Sequence, residues 1–405
     1  MDTKININYT NKGDILENSI IFDIKGDKEN GLNKSIVNSI RRVILSSIPT
    51  VGFRTEMDNT DIKIIKNTTS LHNEFLLHRI SMIPLYIDPS TYKRNYLFKL
   101  TVENDSTKPI TKITCNDFEI FPIKEDVIPE DDNIDLKNYL LDKPLSDKEK
   151  KNIFRPFQDK HYCLITELKS SKSSMKEELE LYGVPRISYA YENAKWQSAS
   201  CSSYSFKKDE DLFQKILNEK ILIDKISEED KYNYSKALYL SESERYFHRD
   251  KNAQPYWYEF KLDSTHYLSS KQLFIQANDL LIEQLDLFKK DLPKLTTQDN
   301  SRFTLEKDSN IYKITIHGLD DTIGNILQTY ISDDIINQDT STFLVCGYKR
   351  THPLEEIVQF NISLNPTLET SNQKDIQLII ELFLKASNDL IHILSLIKEE
   401  AENNL

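Results

Sequence analysis

Asp320 and Asp321 stand side by side ahead of the run TIGNILQTYI, and adjacent carboxylates are one way to hold a divalent cation. Their position just before a helix that begins at Thr322 or Ile323 predicts a different role. Anionic side chains there satisfy orphan N–H groups and complement the positive end of the helix dipole. His72 and His78 lie six residues apart, a spacing that does not bring two imidazoles together on a helix, so no metal pair is predicted. Cys115, Cys163, Cys201 and Cys346 contain no CxxC pair, which argues for reduced thiols over a zinc knuckle or a disulfide framework. Gly324 allows another backbone to approach and Asn325 can hold the turn, but GxxxxGK[ST] is absent and no phosphate loop is expected. No acid–base, metal or phosphate constellation emerges, and no cofactor is predicted.

The remaining polar residues suit recognition better than catalysis. Arg41 and Arg42 are neighbours on a helical run, about 100° apart around the axis, so at most one faces squarely away from the apolar stripe. At least one needs a partner group, and the planar Arg fork fits an acidic or main-chain acceptor. Lys349, Arg350 and His352 form a compact basic patch, read as an interface rather than a DNA contact. Trp196 in AKWQSAS could stack on a base, but Glu192 and Lys195 leave that segment without excess positive charge, and packing is the preferred role. A formal charge of -12 and a pI near 5.3 argue against a protein whose main task is to grip nucleic acid. DNA and RNA would be reached only through other chains.

These residues need elements to hold them. SIIFDI at 19–24 alternates as a strand, and LNKSIVNSIRRVILSSIP then turns helical, with Asn33 as cap, Ile36, Ile40 and Val43 on one side and Pro49 as the stop. TDIKIIKN reads as a strand and the segment up to Pro84 as a short helix. YLFKLTV, KITCNDFEIF, YCLITELK and CSSYSF read as strands around an acidic surface loop at 124–150. The stretch 207–249 is highly charged, with helical patches such as LFQKILNEKILI, and is treated as an excursion without assigned structure. YWYEFKL is a strand leading into an amphipathic helix that carries Leu273, Ala277, Leu280 and Leu281. Pro293 and TTQDNS mark a linker.

Beyond it the pattern repeats: a strand IYKITIHG, the helix TIGNILQTYI, strands TFLVCGYKR and IVQFNISLN, and a long helix near 374–400. There Ile376, Ile379, Phe383, Ala386, Leu390, Ile393 and Ile397 are spaced alternately three and four apart, the seam of helix-on-helix packing. Two such units, each with an apolar helical surface it cannot cover alone, would pair pseudo-symmetrically. The linker would raise their effective concentration to roughly millimolar. The predicted class is α+β: a discontinuous dimerisation domain at 1–53 and 250–295, a mostly β insert at 54–249, a linker at 296–303 and a second dimerisation unit at 304–405. No run approaches a membrane span or a secretory signal, and a soluble intracellular protein is expected.

NSIRRVILSSIPTVGF at 38–53, NTTSLHNEFLLHRISMIPL at 67–85 and ENAKWQSASCSSYSF at 192–206 resemble successive landmarks of the third-largest subunit of nuclear RNA polymerases, whose fold archaeal D and bacterial alpha share. ITIHGLDDTIGNILQTYI and VCGYKRTHPLEEIVQFNI, with the HPLE box at His352 to Glu355, resemble the small alpha-like partner, the eleventh subunit or archaeal L. Their fusion in one chain is similar to what large nucleocytoplasmic DNA viruses encode, which implies a virion and host-cytoplasm location. The resemblance implies a non-catalytic platform on which the second-largest and largest subunits assemble, with small subunits docking as well. Candidate interface residues within these landmarks are Asn38, Arg41, Arg42, Glu74, His78, Arg79, Lys195, Trp196, Lys349, Arg350, His352 and Glu355. Many relatives carry a cysteine cluster in the insert, whereas residues 86–114 hold no Cys, so stabilisation by packing alone is expected. The alternatives are a polymerase-docking regulator or a free-standing nucleic-acid enzyme with borrowed alpha-like domains.

Overall fold

The computed structural model describes residues 5–12, 18–29, 31–56, 59–104, 108–123, 143–158, 160–170, 176–265, 267–296, 302–366 and 371–405. Most of the acidic loop, 124–142, and the middle of the linker, 297–301, lie outside the described residues. In chain order the first elements are β1 (Asn6–Lys12), β2 (Ser19–Lys25), α1 (Lys34–Ser46), β3 (Thr50–Gly52), β4 (Thr55–Glu56), β5 (Asn59–Thr60) and β6 (Ile62–Asn67). Then come α2 (Asn73–Ser81), β7 (Tyr96–Glu103), β8 (Ile110–Thr114), β9 (Glu119–Pro122), α3 (Asp147–Ile153), β10 (Leu164–Lys169), β11 (Glu178–Gly183) and β12 (Arg186–Ser188). The chain continues through β13 (Ala199–Phe206), α4 (Glu210–Ile223), α5 (Lys231–Glu242), β14 (Trp257–Ser264) and α6 (Ser270–Asp291). It ends with β15 (Phe303–Asp308), β16 (Ile311–His317), α7 (Asp321–Tyr330), β17 (Phe343–Arg350), β18 (Ile357–Leu364) and α8 (Asn372–Asn404).

The fold is α+β and divides into two compact units: 1–44, 201–263 and 270–405 make up the first, 45–200 and 264–269 the second. The first unit holds two sheets, ordered β1-β2-β14-β13 and β15-β16-β18-β17. In the first sheet Phe22 pairs with Phe260 across the β2–β14 ladder, and both rings pack against Phe274 of α6 at 5.0 and 5.6 Å between centroids. In the second, alternate residues Val358, Phe360, Ile362 and Leu364 point into the core, as period-two patterning requires of a half-buried strand.

The long helices of the two halves, α6 and α8, run antiparallel. Lys271 reaches the Glu402 carbonyl at 2.9 Å, Lys398 pairs with Asp279 at 2.7 Å, and Lys289 donates to Asn388 at 3.2 Å. Between them Phe288 meets Phe383 edge-on at 5.7 Å, and Phe383 in turn meets Phe360 at 5.1 Å. Ile379, Leu390 and Ile397 are fully buried, while Ile376 and Leu280 are only half-buried. Leu281 rather than Leu280 occupies the centre of the α6 stripe, in step with Leu273, Ala277 and Leu285. Asp375, not Ile376, is the buried residue of the first turn of α8, held by the Tyr312 hydroxyl at 2.6 Å.

Residues 207–249, grouped above with the insert, pack in the first unit. They form a helical hairpin in which Asp209 caps α4 by accepting from Leu212 N–H, Phe213, Leu217 and Leu238 make a small core, and Lys220 pairs with Glu242 at 2.7 Å. Lys207 anchors the hairpin's start to Asp23 and Glu259, each at 3.0 Å.

The second unit is mostly β, built on the sheet β6-β11-β7-β9 with the shorter pairs β10-β8, β12-β3 and β4-β5. Phe98 makes edge contacts with Phe53, Phe118 and Phe154 in its core. KITCNDFEIF, expected as one strand, is broken by a turn of 3-10 helix at Cys115–Asp117, because Thr114 and Asp117 close a reciprocal capping box there. Within the stretch read as an acidic surface loop, Ser146 likewise caps α3, which delivers Ile153 to the core.

Candidate assembly surfaces

In the first unit, the helix carrying the Arg pair starts where Asn33 accepts from the Ser35 N–H at 2.9 Å, and it buries Ile36, Val37, Ile40, Val43 and Ile44. Arg41 folds back along its own helix, its Nε donating to Asn38 Oδ1 at 3.0 Å. Arg42 instead reaches the other half: its Nε donates to Thr322 Oγ1 at 3.1 Å, and Ser39 Oγ donates to the Thr322 carbonyl at 3.5 Å. Thr322 is itself held by Asp320, which accepts from its hydroxyl at 2.7 Å and from the N–H groups of Thr322 and Ile323. Asp320 is therefore the N-cap of α7. Asp321 pairs with Arg350 at 3.0 Å, and the same guanidinium donates to the Glu355 carbonyl at 2.9 Å. Arg350 thus ties β17 and the HPLE turn to the start of α7. Lys349, His352 and Glu355 remain exposed, with His352 Nδ1 accepting from Leu354 N–H at 3.2 Å and Leu354 itself 88% exposed.

Also in the first unit, a pocket of 460 Å³ is lined by Asn33, Lys34, Asp250, Asp333 and Asp334 among others. Burial, with help from neighbouring Asp333 and Asp250, pushes the Asp334 carboxyl up to about 6, partly offset by the Asn33 amide.

In the second unit, α2 keeps Glu74 and His78 in solvent beside exposed Phe75. Arg79, though exposed, clamps the helix to β10 by donating to the carbonyls of Ile165 and Leu164, both at 2.8 Å. Trp196 is buried, its carbonyl accepts from Thr50 Oγ1 at 2.8 Å, and its ring lies 2.7 Å from where a Cβ on Gly52 would stand. Lys195 covers that ring at 5.3 Å, and desolvation lowers its pKa in spite of Glu56 and Asp61 nearby. A groove of 330 Å³ runs beside them, with Met82, Pro84, Gln197 and Thr265 in its walls.

Of the predicted interface residues, Arg42, Arg79, Arg350 and Trp196 are engaged inside their own unit, while Glu74, His78, Lys349, His352 and Glu355 face solvent. Sequence reasoning missed the exposed apolar side chains Phe75, Met82 and Leu354 that lie among them. Phe75 and Met82 are off-phase with buried Leu76 and Ile80, and that phase is a usable signal. Among the described residues no cluster of three His, Cys, Asp or Glu side chains is placed to hold a metal ion, and no helix is long and apolar enough to cross a membrane.

The chain belongs to the RNA polymerase Rpb3/Rpb11 dimerisation domain family, which it matches over residues 28–285. Among curated relatives, it is 26% identical to the DNA-directed RNA polymerases I and III subunit rpac1 of Dictyostelium discoideum, over 46% of this chain and 49% of that protein. It is 27% identical to the DNA-directed RNA polymerase subunit Rpo3 of Pyrobaculum aerophilum, over 24% of this chain and 41% of that protein. To the DNA-directed RNA polymerase II subunit RPB3 of Schizosaccharomyces pombe it is 36% identical, over 21% and 24% respectively. These matches span about half or less of the relatives' own length.

Proposed function

We propose that this chain is a non-catalytic assembly platform of a DNA-directed RNA polymerase, in which a larger and a smaller alpha-like half are fused and dimerise within one chain. On this reading the domains are 1–53 with 250–295, the insert at 54–249 without the 207–249 hairpin that packs in the first unit, and 304–405. The second-largest and then the largest subunit dock on it, with one or more small subunits, and nucleotide chemistry belongs to those large chains. The observation that carries the reading is the antiparallel α6–α8 seam around Phe288 and Phe383, joined by the Arg42–Thr322 contact between α1 and α7. Each half thereby buries the apolar helix face it could not cover alone. The family match over 28–285 and the polymerase subunits among its relatives support the same reading. Exposed Glu74, His78, Lys349, His352 and Glu355 would choose partners, since polar surface loops set specificity more than raw affinity. The fused arrangement further favours a viral enzyme acting in the virion and the host cytoplasm.

Affinity purification of the tagged chain tests this. The expected outcome is recovery of both large polymerase subunits at one-to-one stoichiometry through a high-salt wash. Substoichiometric recovery that washes away would replace the platform with a docking regulator.

A further inference from the structure

Two of the four cysteines, separated by a long stretch of sequence, are neighbours in the second unit. Thr114 and Leu164 are the last pair of the β8–β10 ladder, and just beyond it, where Cys115 opens the 3-10 turn, the Cys115 N–H donates to the Cys163 carbonyl at 2.9 Å. With standard backbone lengths, an N–H···O=C bond of 2.9 Å leaves the two Cα atoms at most about 7 Å apart. That is within the span a disulfide bridges. Their environments differ: Cys115 is buried in the core of the unit, while Cys163 is exposed to solvent. Arg155 lies over the Tyr86 ring at 4.4 Å, and Tyr86 feels the charge of both Arg155 and Cys163, so a cation stands at this corner.

We propose that Cys115 and Cys163 form a reversible thiol–disulfide site, with Cys163 as the attacking sulfur and Cys115 as the resolving one, for a low-molecular-weight disulfide. The Cys163 thiolate attacks one sulfur of the disulfide RSSR, forming a mixed disulfide and expelling one RS⁻, which takes up the proton Cys163 lost. The Cys115 thiol then gives up its proton and attacks the Cys163 sulfur, expelling the second RS⁻. Two protein thiols lose two electrons, and RSSR gains them as two RSH. The neighbouring Cys115 thiol brings Cys163 down to about 7, where a thiolate is present at neutral pH and still nucleophilic, while the interaction with Cys163 and then burial raise Cys115. The bond would tie the end of β8 to the start of β10 and close the chain that carries β9 and α3, whose Ile120 and Ile153 sit in the same core.

The test uses the full chain, reduced and desalted, with oxidised glutathione as the probe at neutral pH. Non-reducing peptide mapping is expected to show a Cys115–Cys163 cross-link, reversed by dithiothreitol, with Cys163 reacting about tenfold faster than Cys201. Cys115→Ala is expected to leave a lasting glutathione adduct on Cys163, and Cys163→Ser to abolish the cross-link. A stable adduct on Cys163 in the unmodified chain, or equal rates at Cys163 and Cys201, overturns the proposal. If Cys115→Ala does not fold, the map and the rates of the unmodified chain decide alone.

Discussion

Gly52 shows how closely the turn bearing Lys195 and Trp196 is fitted to β3. A methyl group there would stand 2.7 Å from the indole, so Gly52→Ala must push a buried ring or the strand aside. We expect a loss of about 1–3 kcal/mol in denaturant unfolding, with the indole fluorescence shifted towards that of exposed tryptophan. Arg41 and Arg42 should separate by role. Arg42→Ala removes the contact to Thr322 and is expected to lower stability by about 0.5–1.5 kcal/mol, whereas Arg41→Ala should leave stability unchanged and weaken recovery of the second-largest subunit. Equal behaviour of the two variants in both assays would sink that division. Asp334 gives a pH signature. Its folded pKa, about 6, lies above the ordinary 3.8, so its contribution is present in full at low pH and is lost as pH rises through about 6. Asp334→Asn is therefore expected to be more stable than the parent at pH 7 by roughly 1–2 kcal/mol, allowing for solvent screening, with the difference vanishing near pH 4. A melting series on both proteins checks the sign.

At the scale of elements, apolar packing between α6 and α8 outweighs their charged edges. The Asp279–Lys398 pair is half-exposed and contributes under about 1 kcal/mol, whereas truncating Phe383, wedged between Phe288 and Phe360, should cost about 3–5 kcal/mol. A protease site placed between α6 and β15 makes this measurable. The cut halves are expected to co-elute at micromolar concentration, and to separate when Phe383→Ala is added. Free separation of the cut parent chain would mean that the seam depends on the covalent link. The α4–α5 hairpin contributes a different surface, with Leu222, Ile223 and Leu240 each more than 70% exposed beyond its small core.

For the whole molecule, a charge of -12 makes electrostatic attachment to nucleic acid unfavourable. Contacts made by apolar seams persist when salt screens surface charge, because the Debye length falls to about 3 Å at 1 M. Resistance of the cut halves to salt, compared with the salt response of the proposed large-subunit docking through Glu74, His78 and Lys349, separates the two kinds of surface.

The residue pattern alone determined much of this architecture. Period-two alternation marked β2, β7, β16 and β18, and the three-four spacing marked α1 and α8, because burial of one face repeats with the geometry of the element itself. Asp320 before Thr322 was legible as a cap for the same local reason. Periodicity says which face is buried but not what covers it. Only the tertiary structure decided that Arg42 meets Thr322, that Arg350 meets Asp321, that Arg79 closes on β10 and that Cys115 lies beside Cys163. Each of these contacts joins elements distant in sequence, where the ladder register and the crossing of helices, rather than local spacing, choose the neighbour. The same holds for the highly charged 207–249, which packs in the first unit, where Lys207 meets Asp23 and Glu259.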